Sequence, residues 1–165
     1  MYEPGTLIVY GSTGVCRVEA VGPRQLMRGL TKTCYTLRPL YSSETIYIPV
    51  DTTVFMRSPI GKEQALDLID RIPGQEDEAL PTDLNQAKEY YERAMQTHDC
   101  EELLRLIRQI YQKSQRVKES KRQPSQTDQR YLKRAEDLLY GELAVALEIP
   151  RDQVVSFIGS RLAQA

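Results

Sequence analysis

The feature that most constrains this chain is a change of pattern near residue 58. Before it, short runs rich in Val, Ile, Tyr and Thr alternate with glycine-punctuated turns. Gly5-Thr6-Leu7-Ile8-Val9-Tyr10 leads into Gly11-Ser12-Thr13-Gly14 and then Val15-Cys16-Arg17-Val18, and the pattern closes at Ile46-Tyr47-Ile48-Pro49-Val50-Asp51. Strands of this length joined by tight turns predict an SH3/Tudor-like small β-barrel or a bent antiparallel sheet. After it, apolar residues recur at helical spacing. The expected fold is therefore α+β in two modules, a β module over 1–57 and a compact helical domain of about five helices over 58–165. Such an arrangement suits bridging two partners better than enclosing a substrate.

Within the β module, Leu7, Val9, Val15 and Val18 are the expected inward positions, with Ile8 and Tyr10 on the other face. Residues 24–32 are polar, contain Gly29 and read as a turn. Cys34–Leu40 and Thr45–Pro49 read as strands, with Pro39 at an edge or strand end because it has no N–H for a ladder. In the helical part, Ala65, Leu66, Ile69 and Ile72 share one face of a first helix that Pro73-Gly74 ends. Residues 75–80 form an acidic linker. Thr82 or Asp83 caps a second helix and Asp99 a third, with Leu103, Leu104, Ile107, Ile110 and Tyr111 as its stripe. Residues 118–126, with Pro124, read as a basic loop. Thr127 starts a long fourth helix, and Pro150 fits the first turn of a last one.

The 165 residues carry a net charge of −1, but the charge is segregated. Residues 76–102 hold nine acids against two bases, and residues 105–134 hold ten bases against two acids. A local basic excess of that size can recruit polyanions through counterion release, or can be a solvated helical face beside a loop. The three cysteines are widely spaced with no C-x-x-C, which argues against a disulfide framework or zinc site and for a reducing compartment. No apolar run has the length of a bilayer span, and the start has no signal-peptide character, so the expected location is cytoplasmic, without membrane attachment.

No catalytic constellation stands out. The sole histidine, His98, lies in a polar stretch between two helices, where a general base would want a partner and a pocket. Gly11-x-x-Gly14 and Gly61-Lys62 are not followed by the residues of a phosphate loop. Glu101-Glu102 suit the positive end of a helix better than acid–base work. The reading is a non-enzyme with no metal, no cofactor and no small-molecule substrate. Ten tyrosines against two Phe and no Trp is an unusual balance, and Tyr90-Tyr91 fits either base stacking or one buried and one half-exposed ring.

The succession Pro4-Gly5, Val9-Tyr10, Gly14-Val15-Cys16-Arg17-Val18, Tyr35–Leu40, Ile46–Asp51 and Met56-Arg57 resembles the CarD/CdnL family. Its N-terminal part is shared with the polymerase-interacting domain of transcription-repair coupling factor. Leu139-Tyr140-Gly141-Glu142-Leu143-Ala144 is similar to the family's C-terminal module. The resemblance implies a bacterial transcription regulator. Its N-terminal domain would dock on the RNA polymerase β subunit, partly by pairing an edge strand. Its helical domain would contact promoter DNA at the upstream edge of the transcription bubble and modulate open-complex stability. Carried over by position, the polymerase-binding set is Arg24, Arg38, Thr45, Ile46, Tyr47, Ile48 and Pro49, and the DNA-binding set is Leu84, Lys88, Arg130, Lys133 and Arg134. The family's promoter-opening members carry a Trp wedge near the start of the second helix, where this chain has Leu84. A leucine can unstack a base step but offers no indole N–H and a smaller stacking face. The alternative is a polymerase-binding adaptor with little or no direct DNA contact.

Overall fold

A computed structural model describes residues 1–164. It divides after Ile60 into an N-terminal sheet unit and a C-terminal helical unit.

The sheet unit has five antiparallel strands: β1 (Leu7–Tyr10), β2 (Gly14–Met27), β3 (Leu30–Pro39), β4 (Ile46–Pro49) and β5 (Met56–Arg57). Their order is β4-β3-β2-β1-β5, so the sheet does not close into a barrel and β4 and β5 remain its edges. Of the two expected forms, the bent sheet is the one present. Its core is Ile8, Cys16, Val18, Tyr35 and Leu37, with Tyr10, Ile46, Ile48 and Met56 packed against it. This corrects the assignment of faces in the first hairpin. Ile8 and Tyr10 point inward with Cys16 and Val18, while Leu7 is only half-buried. Val9 and Val15 are buried as well, so both sides of this hairpin carry apolar residues and alternation alone cannot orient it. Gly11 turns the hairpin with φ +45°, and a Cβ there would sit 3.0 Å from Cγ1 of Val54.

Residues 24–32 are not a loop. They are the end of a long hairpin arm in which Arg24 pairs with Lys32 and Met27 with Leu30, and Arg28-Gly29 alone makes the turn. The polar composition reflects an arm exposed on both faces. Pro23 is tolerated within β2 because β1 pairs with β2 only from Gly14 to Arg17, leaving the rest of that edge open.

The helical unit comprises α1 (Lys62–Asp70), α2 (Leu84–Gln96), α3 (Cys100–Glu119), α4 (Gln126–Leu147) and α5 (Val154–Ala163), the last preceded by a 3-10 turn over Arg151–Gln153. Asp83, Asp99 and Ser125 cap α2, α3 and α4 with side-chain oxygens that accept backbone N–H groups. The third helix runs further than its sequence suggests. Lys118 and Glu119 are helical, and the loop shrinks to residues 120–125. Two long helices, α3 and α4, form the centre, burying Leu106, Ile107 and Ile110 against Ala135, Leu139 and Leu143, while α1 contributes Ala65, Leu68 and Ile69. The expected Leu66 is half-buried and Ile72 lies beyond the end of α1. No described helix is long and apolar enough to cross a membrane.

Candidate functional site

In the sheet unit, cross-strand register sets which side chains share a face. Arg17 lies opposite Arg38, Arg24 opposite Lys32, and Thr36 opposite both Ala20 and Tyr47. Paired residues project to the same side, so Arg24, Arg38 and Tyr47 share the face opposite the core. Two of them meet directly. The Arg24 guanidinium lies 3.4 Å from the centroid of the exposed Tyr47 ring, a cation–π stack. Arg38 instead holds Glu19 at 2.8 Å.

The β4 edge can be read atom by atom. The Val50 N–H donates to the Thr33 carbonyl at 3.0 Å. Antiparallel alternation then directs the Ile48 and Ile46 backbone groups toward β3 and the Tyr47 N–H and C=O away from it. Pro49, the next residue to face outward, has no N–H to leave unpaired. Thr45 stands just before β4 and is exposed. Ile46 and Ile48 turn their side chains into the core, so their part in any docking is to shape the strand. The face available to a partner is thus Tyr47 with Arg24 stacked on it, beside one open backbone donor and acceptor. Composition hides this, because only register distinguishes Tyr47 from its neighbours.

The helical unit treats charge differently. Asp77, in the acidic linker, receives a two-pronged bond from Arg108, Nε to Oδ2 at 2.8 Å and a terminal nitrogen to Oδ1 at 2.9 Å. These bonds hold its carboxyl below the usual carboxylate range despite its burial. Gln109 donates to the Glu78 carbonyl at 2.9 Å, and Arg105 pairs with Glu102 at 2.7 Å. The linker is therefore fastened along α3, and part of the segregated charge cancels internally.

The seams around α4 are closed by polar pairs. The buried Tyr91 hydroxyl donates to Asp128 Oδ1 at 2.5 Å, and Lys113 Nζ lies 3.2 Å from Oδ2. Burial, followed by the Asp128 bond, pushes the Tyr91 hydroxyl far above its ordinary range. Tyr90 donates to Gln109 at 3.1 Å. Both rings of the Tyr90-Tyr91 pair are thus structural, one buried and one half-buried. The Tyr131 hydroxyl donates to Glu92, and Arg134 lies 5.1 Å over the Tyr131 ring.

The four charged residues of the expected DNA-binding set lie on α2 and α4. Arg130, Lys133 and Arg134 recur at i, i+3 and i+4 on α4, and Lys88 sits one turn from Glu92 on α2. Lys133 is bridged to Asp137 at 2.8 Å yet highly exposed, while Arg130 is exposed and forms no ion pair among the described residues. Leu84 opens α2, is 49% exposed, and stands one turn before Lys88. It lines a different feature, a cleft of about 570 Å³ shared with Arg116, Val117 and Arg122. Those two arginines are exposed bases that position-by-position reading misses. The charge count signals both, and the basic loop over residues 118–126 signals Arg122 as well.

Residues 2–58 match the model of the CarD-like/TRCF RID domain, and no curated protein matches the chain. The match ends beside the break between the two units and covers all five strands. The sheet unit is therefore similar over its length to the CarD-like/TRCF RID domain, an RNA polymerase-interacting module.

Proposed function

We propose that this chain is a bacterial transcription regulator that acts by binding. Its sheet unit docks on the RNA polymerase β subunit through the Tyr47 edge, with Arg24 and Arg38 beside it. Its helical unit contacts promoter DNA at the upstream edge of the bubble through Lys88, Arg130, Lys133 and Arg134, and so modulates open-complex stability. The domain match over residues 2–58 carries the polymerase half of this reading. The cationic stack on an edge strand with an outward backbone donor and acceptor supports it, since β-augmentation draws affinity from such an edge and specificity from its alternate side chains. The DNA half rests on four exposed bases, Lys88 on α2 and Arg130, Lys133 and Arg134 on α4, whose charge suits phosphate contact.

A second reading, a polymerase adaptor with little DNA contact, is favoured by two observations. Arg105, Arg108 and Lys113 are committed to internal pairs, and Leu84 has no indole. Salt dependence separates the two readings. If the helical unit grips phosphates, Lys133→Gln with Arg134→Gln weakens duplex binding uniformly across sequences. It also lowers the salt slope by about 1 for each phosphate no longer neutralised. The same variant shortens, or otherwise alters, the effect of the protein on open-complex lifetime. Duplex affinity indifferent to both salt and substitution supports the adaptor instead.

A further inference from the structure

The open β4 strand is too small to be a whole docking surface. Its four residues span about 13 Å, whereas a specific protein interface covers about 800 Å² on each partner. Register shows where the same face continues. Tyr47 lies opposite Thr36, and the outward positions of β3 run on through Lys32, opposite Arg24, to Leu30, opposite Met27. Leu30 is six residues from Thr36, about 20 Å along the strand. The arm ends in apolar side chains. Met27 is 64% exposed, and Leu30 is exposed with it, as is Leu26, which is unpaired at the register shift. Residues 22–33 contain Arg24, Arg28 and Lys32 and no acid. Arg28 is exposed and forms no ion pair among the described residues, while Lys32 reaches only the exposed Asp51, at 3.5 Å.

We propose that the end of this arm makes a second contact with RNA polymerase. Met27 and Leu30 enter an apolar depression on the polymerase, and its acidic rim receives Arg28 and Lys32. This contact, which rests on the polymerase reading of the sheet unit, lies beyond the reach of the β4 edge. Tyr, Met and Arg are enriched in protein interfaces, and this one face carries all three at Tyr47, Met27 and Arg24. A nucleic acid is the poorer match. Phosphates call for cations at the arm's end, and there Leu26, Met27 and Leu30 outnumber Arg28. Single apolar residues on a surface need no partner, but three within five residues at one hairpin end form a patch whose burial is favourable. The cations steer an acidic surface into place, and the apolar end holds it there.

The test measures binding of the whole chain to purified RNA polymerase β subunit, and to a labelled DNA duplex, by biolayer interferometry. The variants are Met27→Ser/Leu30→Ser, Met27→Glu, Arg28→Glu and Tyr47→Ala, with thermal melting to confirm that each is folded. Met27→Glu alters the most exposed of these side chains and serves if the double variant melts early. Both changes at Met27 should weaken polymerase binding by about tenfold or more, chiefly through faster dissociation. Arg28→Glu should slow association at low salt, and the difference should shrink as salt rises. Duplex affinity should not change in the Met27 variants. Polymerase binding at the wild-type level in both Met27 variants, with Tyr47→Ala weakened, overturns the arm contact and leaves the β4 edge standing. If Tyr47→Ala also binds as wild type does, the polymerase reading of this face falls with it. Arg28→Glu that associates at the wild-type rate overturns the acidic rim. Duplex binding lost in the Met27 variants while polymerase binding is kept assigns the arm to DNA and overturns the proposal.

Discussion

In the sheet unit Arg24 lies over Tyr47 and Arg38 reaches Glu19, all four on exposed positions. In the helical unit Arg108 and Lys113 reach instead to Asp77 and Asp128, carboxylates only 2% and 5% exposed. The difference follows from geometry. Along β2 to β4 the sheet buries the side of Val18, Tyr35 and Leu37 and leaves Arg24, Arg38 and Tyr47 exposed on the other, so these cations need not serve the fold. Helices packed around α4 leave seams and a linker to be fastened, and polar side chains do that fastening. A count of surface charge therefore overstates the cations that the helical unit can offer to a partner, and comes closer for the sheet unit.

The contrast breaks most readily at Asp128. Asp128→Ala strands the Tyr91 hydroxyl and the Lys113 ammonium, and should destabilise the helical unit by about 3 kcal/mol or more, as removal of one partner from a buried pair does. Urea unfolding checks this, and a loss below ~1 kcal/mol would mean that the seam is held by apolar contacts alone. A smaller effect is expected from acid. The Asp77 carboxyl titrates below its unfolded value, so its contribution is complete at neutral pH and fades as pH falls below about 4. Asp77→Asn should remove that part of the pH dependence, visible as a flatter acid limb in melting temperature. The smallest effect belongs to the sheet unit. Arg38→Ala breaks an exposed pair and should change stability by no more than about 1 kcal/mol. A larger loss would show that the exposed Arg38–Glu19 pair also supports the fold.

How far the chain can be read in advance varies by element. Both the α+β division and the caps at Asp83 and Asp99 follow from local chemistry, since a capping oxygen and its N–H are two residues apart. The hairpin arm of residues 24–32 is not legible. Exposed strands lose the apolar alternation that marks a strand, so Arg24–Lys32 resembles a turn until its register is seen. Alternation puts Ile8 on the wrong face because Val9 and Val15 beside it are buried too. Lys118 and Glu119 extend α3 because Pro124 limits only the residues just before it. Among the site residues, charge and position pick out Lys133 and Arg134, but only the three-dimensional pairing separates Arg116 and Arg122 from the committed Arg108 and Lys113. The partnership of Arg24 with Tyr47 spans twenty-three residues and has no local signal.

The docking surface proposed for polymerase is the open β4 edge with Arg24 stacked on Tyr47. Binding of the whole chain to purified RNA polymerase β subunit, measured by biolayer interferometry for wild type, Tyr47→Ala and Arg24→Glu, tests it most directly. Each substitution is expected to weaken binding by tenfold or more, about 1.4 kcal/mol, while Lys133→Gln leaves it unchanged. Wild-type affinity retained in both Tyr47→Ala and Arg24→Glu would contradict it.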